Sequence, residues 1–217
     1  MYSKETIEKF YSVATASVAD AVDQIVGKTG YMEFEIKPKI NSKKFVGPAV
    51  TVKEVPTEEK VPPTHALTAI DESPAGSVIV IGVTDHTPNV AVWGGLMTAG
   101  AVANQLAGAV LDAGVRDITE IQRDYDFPIH ARSISPGTTL GRYKTEASNV
   151  PIQCGGITVY PGDLIVADLD GVVVVPKDHV DEVLAVALEI EEREAEQAKL
   201  IIKEKSLRTG IEKYNRI

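Results

Sequence analysis

Apolar positions along the chain follow two periods, and the switches between them mark the elements. From Glu5 to Val26, the residues Ile7, Phe10, Tyr11, Val18, Ala21, Val22 and Ile25 mostly fall three or four apart, which is the spacing of a helix that buries one face. One helix or two short ones are expected, with Ser17 and Asp20 as candidate starts of the second. The pattern then changes to a strand from about Val46 to Glu54, in which Gly47-Pro48 points to an edge or a strand beginning. "HALTAIDES" reads as a short helix, and "PAGSVIVIGV" as a turn feeding a buried strand. "GGLMTAGAVANQLA" is a helix rich in small residues, and "GAVLDAG" after it is a second buried strand. Two strand-helix-strand steps in succession predict parallel pairing.

Beyond "DITEIQRDYDF" the period returns to two. "PIHARSI" and "VPIQCGGITVYPGDLIVADLDGVVVVP" read as several strands, cut by the turn signals Gly155-Gly156, Pro161-Gly162-Asp163 and Asp170-Gly171, and an antiparallel arrangement is expected here. From Asp178 the chain turns helical again, with Val180, Val183, Leu184, Ala187 and Leu188 on one face. The charged run "EIEEREAEQAKLIIKEK" follows, with an apolar stripe too narrow for a core helix. It reads either as a solvated helix or as an arm that packs on another subunit. No internal repeat or low-complexity segment interrupts the pattern.

Composition narrows the function classes. The chain of 217 residues has a net charge of −9 and no long basic run, so nucleic acid is not an expected partner. The single Cys154 excludes an intramolecular disulfide and an all-cysteine metal cluster, which suits a reducing compartment. The charged start lacks the apolar core of a signal peptide, and no apolar run is long enough to span a bilayer. A cytoplasmic protein without membrane contact is therefore expected.

The candidate chemistry centres on "AGVRDITEI". A turn through Gly114 places Arg116 and Asp117 at the carboxyl end of a parallel strand and the start of a helix, where open sheets carry their ligands. Asp117 and Glu120 also have the spacing of a capping box, so these acids either cap their own helix or serve a site. A second helix start, "WGGLMTAG", offers unpaired N–H groups that suit a carboxylate, although its glycines equally serve close helix-to-sheet packing. No G-x-G-x-x-G or Walker loop supports a nucleotide cofactor. The histidines His65, His86, His130 and His179 are scattered without metal-site spacing and are read as structural. Ser133, Ser135 and Cys154 lie in no nucleophile-elbow context, and Lys177 reads as an exposed strand-end lysine.

Taken together, "SVADAVDQI", "VGPAVTV", "PAGSVIVI", "WGGLMTAGAVANQLAGAVLDAGVRDITEI" and "PGDLIVADLDGVVVVP" resemble the family of 4-hydroxy-4-methyl-2-oxoglutarate aldolases and regulators of ribonuclease E activity, from about Ser17 to Pro176. The resemblance implies an α/β fold, an α-β-β-α sandwich of the swivelling phosphohistidine-domain type, with residues 1–188 as the domain and 189–217 as a C-terminal helical extension. It implies a trimer or a pair of trimers, with the extension packing on a neighbouring subunit and active sites at subunit contacts. In the family's enzymes the matching aspartate, here Asp117, binds Mg2+ or Mn2+, and the matching arginine, Arg116, holds the substrate carboxylate. Gly94, Gly95, Leu96 and Met97 complete the pocket for a pyruvate-like acid, and Glu192 and Glu194 are the nearest matches to an acid lent by a neighbour. The implied activity is metal-dependent retro-aldol cleavage of 4-hydroxy-4-methyl-2-oxoglutarate-like acids, decarboxylation of oxaloacetate, or both, with release of pyruvate. The alternative is a non-catalytic regulator that docks on an enzyme. One departure from the family pattern is Gly95, which stands where relatives usually carry an acid or an amide.

Overall fold

The computed structural model describes residues 2–85 and 89–214. Two amphipathic helices open the chain, α1 (Lys4–Ser12) and α2 (Thr15–Val26), followed by a two-residue strand β1 (Lys37–Pro38) and the long strand β2 (Phe45–Pro56). Next come α3 (Thr64–Glu72), β3 (Val78–Val83), β4 (Ala91–Trp93), α4 (Gly95–Ala103), β5 (Gly108–Val115), α5 (Ile118–Asp124) and β6 (Ile129–Ile134). The strands β7 (Tyr143–Ser148), β8 (Ile152–Cys154), β9 (Ile157–Val159), β10 (Leu164–Asp168) and β11 (Gly171–Val175) precede the helices α6 (Val180–Glu204) and α7 (Leu207–Tyr214).

Most strands join one sheet in the order β1-β6-β5-β3-β2-β10-β11, with β4 beside β5 and β7 beside β2, while β8 and β9 form a separate hairpin. The sheet nearly closes on itself, since Tyr31 bridges to Val173 on β11 and Lys37 of β1 donates to the carbonyl of Asp170 at 2.5 Å. The expected parallel steps are present, with β2 beside β3 and β3 beside β5. Both β3 and β5 are buried along their whole length, as parallel strands covered on both faces must be. Gly47-Pro48 falls at the beginning of β2, ahead of Ala49, where pairing with β3 starts.

Three apolar layers result. Phe10, Val18, Val22, Val183 and Leu184 pack α1, α2 and α6 on Val46, Leu164, Val166 and Val173. Phe45, Ala49, Val80, Val110, Ile165 and Val174 fill the space between the two halves of the folded sheet. Val52, Ile79, Ile81 and Leu111 meet Ala66, Ile70, Ala101 and Ile121 of α3, α4 and α5 on the far side. The layers are those of an α-β-β-α sandwich, and alternation along β2 lets one strand serve all three.

Two expectations are corrected. The second helix starts at Thr15, with Ala14 at its cap, rather than at Ser17 or Asp20, because two distant carboxylates satisfy its first amides, Glu191 that of Ala14 and Asp168 that of Thr15. Strand β6 pairs parallel with β5 and antiparallel only with β1, so the antiparallel region begins at β7. The last long helix, α6, runs unbroken from Val180 to Glu204 and buries Ile190 and Gln197 beyond Leu188. A left-handed residue, Lys205, then turns α7 back onto it, with Gly210 seated against Ile201. No helix among the described residues is long and apolar enough to cross a membrane.

Candidate active site

Strand β5 delivers the central residues. Its eight residues are buried, and its last, Val115, pairs with Trp93 at the end of β4. The amide of Arg116 donates to the Trp93 carbonyl at 3.0 Å, which locks the two strand ends side by side. The chain leaving β4 and the chain leaving β5 therefore start their helices, α4 and α5, next to one another. Trp93 anchors the arrangement by stacking on Phe127, with 6.4 Å between ring centroids. Its indole N–H donates to Thr98 Oγ1 at 2.8 Å, and that hydroxyl donates to the Gly94 carbonyl at 3.0 Å.

Asp117 resolves the ambiguity in its own sequence context. It occupies the cap position of α5, but its side chain makes no cap bond to that helix. Only its backbone serves α5, through the Asp117 carbonyl accepting from Ile121 N at 2.9 Å. The carboxylate reaches across to the other helix, where Oδ2 accepts from Gly95 N at 2.9 Å. The capping box with Glu120 does not form, although Glu120 lies in the first turn of α5. Asp117 adopts φ of 59°, a left-handed conformation that costs a non-glycine residue on the order of 1 kcal/mol. This backbone twist aims the side chain away from α5 and towards α4. Arg116 Nε lies 3.6 Å from the same Oδ2, and both side chains remain about two-fifths exposed.

The two glycines of the α4 start are not equivalent. A Cβ on Gly94 would stand 2.6 Å from Asp117 Oδ2 and 3.1 Å from the Arg116 side chain, so a larger residue there would have to push the carboxylate from its place. A Cβ on Gly95 would meet Asp117 at 3.6 Å, an ordinary contact, so nothing local demands glycine there.

These residues line a cavity of about 330 Å3. Gly94, Gly95, Leu96, Met97, Arg116 and Asp117 line it together with Pro62, Pro63, Leu67, Thr138, Thr139 and Leu140. The sequence-predicted residues of the two helix starts thus come together. Glu192 and Glu194 do not join them within one chain, for they are exposed on α6 and absent from the cavity wall. Their neighbour Glu191 turns inward instead, accepting from Ala14 N at 2.7 Å and Ser17 Oγ at 2.9 Å. The lining residues Pro62, Pro63, Leu67, Thr138, Thr139 and Leu140 were missed by sequence reasoning, because the loops before α3 and before β7 carry no local sign of where they pack. Larger cavities lie elsewhere, including one of about 670 Å3 against Tyr31 and Phe34, but none contains the Arg116-Asp117 pair.

Two buried ionisable groups lie apart from this wall. His130 stacks edge-on against Phe45, shares a 2.7 Å hydrogen bond with the Asp168 carbonyl, and is pushed down to about 4, chiefly by burial. Glu54 is 1% exposed, neither carboxyl oxygen has a hydrogen-bond partner among the described residues, and burial pushes its pKa up to about 8. It pairs with Val83 and follows Val52, so it faces the layer of α3 to α5. His179 bonds to Glu182 at 2.8 Å, and the amide of His65 donates to Thr145 at 3.1 Å. His86 lies outside the described residues.

Among the described residues, no three His, Cys, Asp or Glu side chains converge as a metal cage. Asp117 alone fits a divalent cation, because a hard cation such as Mg2+ accepts one carboxylate and fills its remaining positions with water or substrate oxygens. Only one of its oxygens is engaged by Gly95 and Arg116.

The sequence pattern of the RraA-like family, Aldolase/RraA, matches residues 15–174, which reaches from α2 into β11 and includes both helix starts of the site. The chain belongs to the Aldolase/RraA family. It is 35% identical over 181 residues to a protein of Halalkalibacterium halodurans provisionally named 4-hydroxy-4-methyl-2-oxoglutarate aldolase, covering 82% of this chain and 80% of that one. It is 34% identical over 182 residues to protein DlpA of Legionella pneumophila, covering 82% of this chain but only 28% of DlpA. An uncharacterised protein of Pseudomonas syringae pv. tomato has a crystal structure that superposes with a TM-score of 0.87 at 30% identity, covering 98% of this chain and 95% of that one. The last match extends through the C-terminal helices, so the arm is shared with a solved structure and not only the sandwich.

Proposed function

We propose that this family member is a divalent-metal-dependent lyase that breaks the carbon-carbon bond beta to the keto group of a small 2-oxo acid and releases pyruvate. The observation that carries the reading is the Asp117 carboxylate, held by a left-handed backbone and one amide of α4, in a cavity beside Arg116. The name of the Halalkalibacterium relative supports the same reaction class.

The chain's residues divide the work. The planar Arg116 guanidinium matches a carboxylate bidentately and fixes the acid's orientation. The Leu96 and Met97 amides, in the first turn of α4, lack intrahelical acceptors and can receive an anionic oxygen. Asp117 would hold the cation, which supplies Lewis-acid stabilisation to the negative charge that develops on the keto oxygen during bond cleavage. No Schiff-base lysine is required. Gly95 brings no side chain for proton transfer, and we assign that role to Glu192 or Glu194 of a neighbouring subunit in a trimer or hexamer. The arm that bears them exposes Ile202 and Leu207 at 77% and 61%, apolar surface that suits packing on another copy.

The test is pyruvate release from purified protein, with Mg2+, with Mn2+ and with chelator, on oxaloacetate and on 4-hydroxy-4-methyl-2-oxoglutarate. Metal-dependent turnover is expected, and Arg116→Lys should raise KM and lower kcat together, since a point charge replaces a fork. A chain ending after Glu191 should lose activity more than stability if the arm completes a neighbour's site. Absence of turnover on any 2-oxo acid would leave the non-catalytic regulator as the reading to pursue.

A further inference from the structure

The peptide that joins Gly94 to Gly95 carries the amide that meets Asp117, and it is held from behind. Its carbonyl and its N–H point in opposite directions because a trans peptide is planar. The Gly95 N–H donates to Asp117 Oδ2 at 2.9 Å, while the Gly94 carbonyl accepts from Thr98 N and from Thr98 Oγ1, each at 3.0 Å. A threonine bond to the carbonyl four residues back is common in helices. Here the same hydroxyl also accepts from the Trp93 indole N–H at 2.8 Å, so it ties the start of α4 to the end of β4. Thr98 is fully buried, where a valine of the same shape would avoid the cost of burying a hydroxyl. The glycines on both sides of the peptide let its plane rotate at little steric cost, so its direction depends on these bonds.

A competing partner for Asp117 stands beside it. Arg116 Nε lies 3.6 Å from the same Oδ2, beyond the about 2.7–2.9 Å of a formed charge-assisted bond. If the Gly95 amide turned away, the carboxylate would close on the guanidinium. Asp117 would then be lost to a cation, and Arg116 to a substrate carboxylate. We infer that Thr98 is a positioning residue: its hydroxyl fixes the Gly94-Gly95 peptide so that the Gly95 amide, and not Arg116, holds Asp117. The inference rests on the lyase reading and adds to it a residue that touches neither substrate nor metal. All the contacts that carry it lie within one chain.

Two readouts are independent of turnover. Mn2+ binding, followed by loss of the free-ion EPR signal, reads Asp117, and the chain's one tryptophan gives one indole N–H resonance that reports the Thr98 bond. Thr98→Val keeps the shape and removes the hydroxyl, so it should shift that resonance. It should also weaken Mn2+ binding roughly tenfold, the usual effect of losing a group that orients a metal ligand, and lower kcat/KM by at least as much. Thr98→Ser should keep all three close to wild type. Arg116→Gln should raise Mn2+ affinity far more in the Thr98→Val background than in the wild type, because only there has the carboxylate closed on the guanidinium. Should Thr98→Val fold poorly, Thr98→Ala, which favours a helix and adds no bulk, takes its place. A lower melting temperature with Mn2+ affinity unchanged, while Asp117→Asn abolishes binding, would overturn the positioning role and leave the lyase reading intact. Mn2+ binding that Asp117→Asn does not affect would overturn both. Equal gains from Arg116→Gln in the two backgrounds would show that Arg116 does not compete for Asp117 and would sink the inference.

Discussion

At the start of α2, Ala14 N and Ser17 Oγ both donate to Glu191, and Thr15 N donates to Asp168 at 3.2 Å; at the start of α4, Gly95 N donates to Asp117 at 2.9 Å. Each helix start is thus served by carboxylates from distant segments rather than by a residue of its own first turn. The difference lies in what the acids have left over. Asp168 spends its second oxygen on Asp170 N at 2.9 Å, and Glu191 reaches in from α6 beside the buried Ile190. Asp117 stands two-fifths exposed in a cavity next to an arginine, on a backbone twisted into the left-handed region. The same hydrogen-bond chemistry closes a structural joint in one place and, in the proposed function, presents a ligand oxygen in the other.

Replacing the two kinds of acid should separate those roles, and the largest effect is expected at Asp117. Asparagine tolerates the left-handed conformation and can still accept from Gly95, so Asp117→Asn should keep the fold within about 1 kcal/mol. Losing the anchoring charge should lower metal-dependent pyruvate release by roughly a thousandfold, about 4 kcal/mol in the barrier. Kinetics beside a thermal melt check both halves, and near-normal turnover would reduce Asp117 to another cap.

Glu54 extends the comparison to a buried acid with no donor among the described residues. Its folded pKa, about 8, lies above the ordinary 4.5, so the folded protein keeps a proton that the unfolded chain has released. Stability from this group is fully present below about pH 4.5 and is lost as pH rises through about 8. Denaturant unfolding should therefore show stability falling by roughly 3 to 5 kcal/mol between about pH 4.5 and pH 8 and levelling off above that. The Glu54→Gln variant should flatten that slope, and an unchanged slope would move its cause to another group.

A smaller change is expected at the structural joint. Glu191→Ala removes two charge-assisted bonds and should cost about 2 kcal/mol, while activity per folded molecule stays the same. A comparable fall in turnover would show that the joint also positions the site.

What the sequence revealed of this arrangement follows from how local each cause is. Strands β3 and β5 are legible because burial on both faces writes continuous apolar runs, and the β10-β11 turn because Asp170-Gly171 marks it. Strand β7, "YKTEAS", escapes notice because it lies half exposed beside β2, and β4 because three residues show no period. The direction of β6 depends on its partner, which its own pattern does not name. At the site, a strand end followed by Arg116-Asp117 was readable as a favoured ligand position, and the small-residue helix as its companion. That Asp117 serves the neighbouring helix was not readable, because its carboxylate acts on Gly95, 22 residues away. Glu191 was hidden for the same reason, at 177 residues from Ala14.

The smallest effect should come from Gly95, and it sharpens the comparison most finely. A methyl group at this position would meet Asp117 at an ordinary 3.6 Å, in contrast to the 2.6 Å clash at Gly94. Gly95→Ala should therefore fold normally, with a gain of up to ~0.5 kcal/mol from lower chain entropy in the unfolded state, and should change kcat/KM less than twofold. Gly95→Asp asks a different question with the same backbone, because it places an acid where the family resemblance leads one to expect an acid or an amide. If proton transfer is supplied by Glu192 or Glu194 of a neighbour, an added acid beside Asp117 brings like-charge repulsion and no gain in turnover. A several-fold rise in kcat for Gly95→Asp, absent in Gly95→Ala, would instead show that the reaction wants its acid on α4. Glu192 and Glu194 would then lose their assigned role, and the arm would keep only its packing on another copy.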